Sequence, residues 1–324
     1  MGEVIGLVLP FFGLIALGFV TARITRQPLD ALGWMNTFII YIALPALFFN
    51  LLSKTPVEEL AQWRFIVATT LSTFIIFAVM FAIAIIRTRG EIASSTVMGL
   101  AAAYGNIGYM GPGLALLAFG EAAVVPVALV FCFDNVLHFV MAPLMMALAD
   151  ESDDKPSAMQ LTVGVLKRIF LHPFILATIV GVGAAMIGFR PPEAMQTLLN
   201  YLANAAAPCA LFVMGVTLAL RPLKRIPLEA AFIAPLKLII APLLVYVMVS
   251  WAGDFPQIWI YVAVLMAALP TATNVFVIGQ QYGVWVERAS AMILITTVLS
   301  IITVSALLYL MTQQLLPADL FVSG

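Results

Sequence analysis

Residues 270–283 read PTATNVFVIGQQYG, and they follow the apolar run Trp259–Leu269, WIYVAVLMAAL. The run has the composition of a membrane-crossing helix, yet nearly halfway along a proline, two hydroxyls and an amide interrupt it. Pro270 cannot donate a backbone hydrogen bond and leaves a carbonyl without its helical partner. Hydrocarbon offers nothing to satisfy such groups, so a break at this depth is tolerated only where protein or a water-filled cavity covers it. The stretch therefore marks an interior site.

The rest of the chain has the same solvent in mind. Its 324 residues are 63% hydrophobic and 10% charged, with a mean hydropathy of +1.10. A soluble core of this length could not hide that much apolar surface. About 20 apolar residues span a bilayer, and ten such segments are expected, at roughly 4–22, 34–53, 63–86, 95–119, 122–148, 166–188, 195–220, 229–252, 256–282 and 287–313. The fold class is thus an all-α integral membrane protein. The longest connection carries the acidic DESDDKPS and reads as a solvated linker, with no soluble domain attached. The net charge of −1 gives no reason to expect a nucleic-acid partner. Cys132 and Cys209 fall inside apolar spans, as packing residues rather than a disulfide framework. The start MGEVIG lacks the basic region of a signal peptide and has Gly6 where a myristoylation motif wants Ser or Thr. The first span is therefore expected to be retained.

Lys and Arg set the orientation. The odd-numbered connections hold Arg23, Arg26, Arg87, Arg89, Lys155, Lys167, Arg168, Arg221, Lys224, Arg225 and Arg288, whereas the even ones hold Lys54, Arg64 and Arg190. By the positive-inside rule the odd connections are cytoplasmic and both termini are extracytoplasmic. The expected location is the plasma or inner membrane.

A repeat lies at one spacing. Pro10, Gly18, Pro45 and Gly120 each have a counterpart of the same type 163 residues on, at Pro173, Gly181, Pro208 and Gly283. Proline and glycine are common in membrane helices in any case, but one offset joining four places points to a duplication. Each half then has five spans, with 1–148 and 166–324 flanking a cytoplasmic acidic linker at 149–165. An odd number of spans per half forces the second to enter from the opposite side, the inverted repeat found in many secondary transporters. The repeat sends the opening stretch onto Tyr104–Gly113, YGNIGYMGPG, in the fourth span. Broken helices at matching positions of two halves are the sequence signature of a transport site.

What such a site binds follows from its chemistry. A half-helix N-terminus carries free N–H groups and about half a positive charge, which favours anions. Asn106, Asn274, Thr271 and Thr273 add uncharged donors suited to a carboxylate. No Arg is assigned to the interior of a span, only to connections and span ends, which argues against a strong bidentate phosphate clamp. The alternative is a pair of proline kinks that serve packing. Asp134, His138 and Lys237 are the deep ionisable residues, with Asp134 about eleven residues, roughly 16 Å, into the fifth span. His138 is one helical turn on, so the two share a face. Three readings stay open: Asp134 and His138 carry a coupling proton, Lys237 attracts the anion, or Asp134 and Lys237 form a neutralising structural pair. His172, at a span start beside Pro173, reads as interfacial. Nothing matches a metal-site or nucleophile motif, so the chain is not read as an enzyme. An anion channel or uniporter of the same architecture is the alternative function.

At Asn106-Ile-Gly-Tyr-Met-Gly and at Pro270-Thr-Ala-Thr-Asn, ending in Tyr282-Gly283, the chain resembles the auxin efflux carrier family. The resemblance runs over essentially the whole length, with the short central loop of bacterial members. Two departures are visible: Pro112 directly follows Gly111, one position earlier than in many members, and Gly279 stands where Ala is common. The resemblance implies a fold like that of the bile-acid/sodium symporters, with the fourth and ninth spans crossing at the substrate site. It implies substrate contacts from Asn106, Gly108, Tyr109, Gly111, Pro112, Pro270, Thr271, Thr273 and Asn274. It also implies small carboxylates such as malonate or malate, or auxin in plant members. The expected partners are a small carboxylate, the lipid bilayer and a second copy in a homodimer. No metal or cofactor is expected beyond a coupling H+ or Na+.

Overall fold

The computed structural model describes residues 2–56, 58, 61–150, 157–220, 226–317, 320 and 321. Residues 151–156 of the acidic linker, Lys155 among them, and the basic residues Arg221, Lys224 and Arg225 lie outside the described residues. Among those described, the regular structure is helical throughout, apart from one isolated bridge. The helices are α1 (Gly2–Thr25), α2 (Gly33–Phe38), α3 (Leu44–Leu52), α4 (Trp63–Arg87), α5 (Ile92–Ala103), α6 (Gly111–Phe119), α7 (Val124–Ala149) and α8 (Ala158–Phe170). They continue with α9 (Pro173–Met186), α10 (Glu193–Leu220), α11 (Ala230–Pro235), α12 (Ala241–Ala252), α13 (Gln257–Ala268), α14 (Thr273–Tyr282) and α15 (Val286–Thr312).

Six helical stretches among the described residues are long and apolar enough to cross a membrane: Gly33–Leu52, Trp63–Arg87, Gly111–Ala149, Glu193–Leu220, Ala230–Ala252 and Val286–Thr312. Of the other expected spans, the first lies in the single helix α1, while the fourth, sixth and ninth are divided between shorter helices. Large apolar side chains such as Trp34, Ile86, Trp251 and Ile302 stand exposed, as suits a surface solvated by lipid rather than water.

Local departures from plain α-helix follow the prolines. A proline ring collides with the carbonyl four residues earlier. Ahead of Pro45 and Pro242 the chain widens into π-turns, Ile39–Ala43 and Leu236–Ile240. The second of these carries Lys237. Pro173 acts differently: His172 before it is extended, with φ −69° and ψ 127°, as the residue before proline tends to be. The expected sixth span thus divides at 171–172, and a helix, α8, occupies 158–170 at the end of the expected linker.

The chain folds as two compact units, each drawn from both sides of the central linker. The first comprises Met1–Trp63, Gly108–Cys132 and Phe170–Pro222; the second comprises Arg64–Ile107, Phe133–Ile169 and Leu223–Gly324. In the first, α1 packs along α10, and α3 packs on α9 and α10. The α1–α10 contact is backbone to backbone, because a Cβ on Gly18 would overlap the Phe212 carbonyl and one on Gly215 the Ile15 carbonyl. Phe131 ties this unit together, with ring centroids 5.0 Å from Phe48 and 4.8 Å from Phe174. In the second, Phe77, Met80, Leu100, Tyr104, Ile233, Val275 and Met292 form the buried core.

Candidate functional site: two broken helices that complete each other

The breaks begin where expected. Helix α5 stops at Ala103, and Tyr104 turns extended at φ −77° and ψ 97°. Helix α13 stops at Ala268, and Leu269, placed before Pro270, is extended at ψ 148°. Within the second unit the two breaks meet. Gly105 and Thr271 face each other in an isolated antiparallel bridge. The Asn106 N–H donates to the Pro270 carbonyl at 2.8 Å, and the Ala272 N–H donates to the Tyr104 carbonyl at 2.8 Å. Each break supplies backbone partners that the other lost when its helix stopped. That is how polar backbone survives at membrane depth.

Side chains lock the crossing. The Thr271 hydroxyl donates to the Ala101 carbonyl at 2.8 Å, at an α5 end that has no next turn to satisfy it. The Thr271 N–H donates to Thr296 Oγ1 at 3.1 Å. Asn274 Nδ2 donates to the Tyr104 hydroxyl at 2.8 Å, which donates to Asn135 Oδ1 at 2.6 Å. The Tyr104 ring stacks on His138, with centroids 3.9 Å apart and planes within 10°. The His138 Nδ1 pairs with the Asp134 backbone carbonyl one turn back. A carbonyl can only accept, so Nδ1 carries the proton.

Helix α14 begins at Thr273 and no side chain caps it; α6 begins at Gly111 and is likewise uncapped, with Pro112 in its first turn. Proline is suited to that place, where its missing N–H has no helical partner to lose. Thr273 and Asn274 are half-buried, so the α14 end remains reachable, whereas Asn106, Pro270 and Thr271 are buried. Asn106, Pro270, Thr271, Thr273 and Asn274 thus gather at one crossing in the second unit. Gly108, Tyr109, Gly111 and Pro112 belong to the first unit, where Gly108 lies against Phe131.

The deep charges also belong to the second unit. Asp134 Oδ2 accepts from the Thr73 hydroxyl at 3.0 Å, and the Lys237 ammonium donates to the Ala267 carbonyl at 2.7 Å. The two residues line one small cavity, but each is bonded to another group and the direct ion pair is not formed. His172 sits at the start of α9, its ring 4.9 Å from Phe174.

Sequence reasoning passed over Tyr104, Asn135 and Thr73. Tyr104 opens the break, and Asn135 follows Asp134 directly; both positions were signals. Thr73 gave none, since a threonine in a membrane helix commonly bonds its own backbone.

Residues 3–308 match the family model described as membrane transport protein. The chain belongs to this family, the auxin efflux carriers. Among its relatives, the "Putative malonate transporter" of Rhizobium meliloti (strain 1021) is 60% identical over 321 residues, 99% of this chain and 100% of the relative. An "Uncharacterized transporter" of Methanothermobacter thermautotrophicus is 26% identical over 303 residues, 91% of this chain and 94% of the relative. The "Uncharacterized transporter YfdV" of Escherichia coli (strain K12) is 23% identical over 316 residues, covering 94% and 96% of the two chains. Family and relatives are transporters, and this auxin efflux carrier family member is a multi-pass membrane transport protein, not an enzyme.

Proposed function

We propose that the chain is a secondary active carrier of small organic anions, mono- or dicarboxylates, with substrate held at the crossing by alternating access. The carrying observation is the crossing itself: two breaks pair by backbone and leave the uncapped N-terminus of α14, with Thr273 and Asn274, accessible. An anion there meets N–H groups aligned with the helix dipole and an amide, without a competing carboxylate among the crossing residues. The relative named for malonate makes malonate the first dicarboxylate to try.

The packing of the first unit supports a ten-span inverted repeat. Helix α1 pairs with α10, while α9, which lies 163 residues after α1, pairs with α3, which lies 163 residues before α10. Gly18 and its counterpart Gly181 each face the partner helix: a Cβ on Gly18 would overlap the Phe212 carbonyl, and one on Gly181 would lie 3.1 Å from Leu52 Cβ. An exchange of partners of this kind is what a duplicated, inverted half produces. The odd connections then face the cytoplasm and both termini face out.

The test is flux in proteoliposomes with a panel of mono- and dicarboxylates. A carrier gives saturable malonate uptake that speeds up when the lumen is preloaded with malonate. Flux that rises linearly with concentration and ignores preloading means a channel instead, and the carrier reading fails.

A further inference from the structure

Asp134 and Lys237 are 7% and 1% exposed, and neither is bonded to the other. Both line a cavity, with Thr73, Gly105, Met266 and Ala267, that has room for about one water molecule. Asp134 Oδ2 is taken by Thr73, while Oδ1 is buried and accepts no hydrogen bond. Lys237 has three donors and directs one at Ala267. Gly105 keeps the space open, because a Cβ there would lie 3.1 Å from the ammonium nitrogen and 3.3 Å from the Met266 carbonyl oxygen.

A buried carboxylate oxygen without a hydrogen bond is costly. Two arrangements relieve it. A proton on Oδ1 removes the charge, or a water accepts from the ammonium and donates to Oδ1. These arrangements differ by one proton, and both fit the space. We infer that the Asp134 carboxylate takes up and releases the proton that the carrier couples to its anion, with one cavity water linking it to Lys237 when the proton is away. The inference rests on the carrier reading above. The proton comes from water on one face and returns to water on the other; no bond but O–H forms or breaks.

The neighbouring groups select Asp134 and select a proton. His138, on the same helix, does not line the cavity; its Nδ1–H is held by the Asp134 carbonyl, its ring is covered by Tyr104, and its Nε2 is buried without a hydrogen-bond partner, so a proton added there meets neither an acceptor nor the cavity water. Thr73 comes from α4 and Lys237 from the π-turn after α11; no second carboxylate lines the cavity. A sodium ion would have to sit beside a fixed ammonium, and like charges this deep repel strongly.

Infrared difference spectroscopy of the full-length protein in lipid reads the C=O stretch of a protonated carboxyl group without any substrate. The wild type gains this band on acidification, Asp134→Asn lacks it, and Asp134→Glu returns it at a shifted frequency. In proteoliposomes clamped at zero voltage, one proton per malonate lets a gradient of about one pH unit drive about tenfold accumulation. Asp134→Asn loses that accumulation while malonate exchange stays measurable, and a sodium gradient drives none. A band unchanged in Asp134→Asn, or uptake that follows sodium, overturns the inference. If Asp134→Asn does not fold, the Glu variant decides: a band that fails to shift overturns it equally. A protein that shows the band but exchanges no carboxylate removes the carrier reading, and the coupling role with it.

Discussion

Replacing Tyr104 by Phe removes one oxygen atom and nothing else. That oxygen accepts from Asn274 at 2.8 Å and donates to Asn135 at 2.6 Å. Tyr104 is 1% exposed, so water does not take its place. Each bond contributes about 0.5–1.5 kcal/mol net, which sets the loss at about 1–3 kcal/mol. The ring still stacks on His138 and the volume barely changes, so no cavity cost adds to it. Part of the loss falls on substrate binding, because Asn274 stands in the first turn of α14 and Tyr104 holds its amide. If about 1.4 kcal/mol reaches the site, malonate affinity drops about tenfold. Thermal melting of the purified protein reads the stability, and scintillation proximity binding of labelled malonate reads the affinity. The double mutant Tyr104→Phe with Asn274→Ala should show non-additivity of about 0.5–1.5 kcal/mol, the shared bond. Strictly additive losses, or a Tyr104→Phe protein that melts and binds like the wild type, would refute the network.

Gly215→Ala and Gly18→Ala each place a Cβ into a backbone carbonyl of the facing helix; they should destabilise by about 1–3 kcal/mol or more. Gly13→Ala, in α1 with nothing within 4 Å of its Cβ position, should melt at or slightly above the wild-type temperature. Gly105→Ala crowds the ammonium of Lys237, and should reduce gradient-driven accumulation several-fold more than exchange in the proteoliposome assay. Single cysteines at Arg89 and Lys54, both exposed, should label from opposite sides of a sealed membrane; same-side labelling would remove the inverted repeat.

The two breaks were legible because they violate the apolar pattern around them. A proline with hydroxyls and an amide directly after a run such as WIYVAVLMAAL breaks the apolar pattern within one expected span. That the two breaks cross was legible only as what the family resemblance implies; the 163-residue offset aligns them but carries no distances. Tyr104 was harder to read. Aromatic residues are frequent in such a chain, and only the stacked His138 and the two amides give this one a role. An Asp134–Lys237 pair was one of three readings that the sequence left open, and in the structure each residue is bonded to another partner. The π-turn that carries Lys237 puts its ammonium against the Ala267 carbonyl, and Thr73 takes one oxygen of Asp134. Such partners depend on which helices touch, and a sequence with opposite charges at matching depth does not specify that.

The central claim is that a small carboxylate binds where the two broken helices cross. A cryo-electron microscopy structure of the full-length chain with malonate tests it directly. The account predicts malonate density at the start of α14, within hydrogen-bond reach of the Thr273 and Asn274 backbone N–H groups. Malonate density elsewhere in the protein, with the α14 N-terminus empty at saturating ligand, would contradict it.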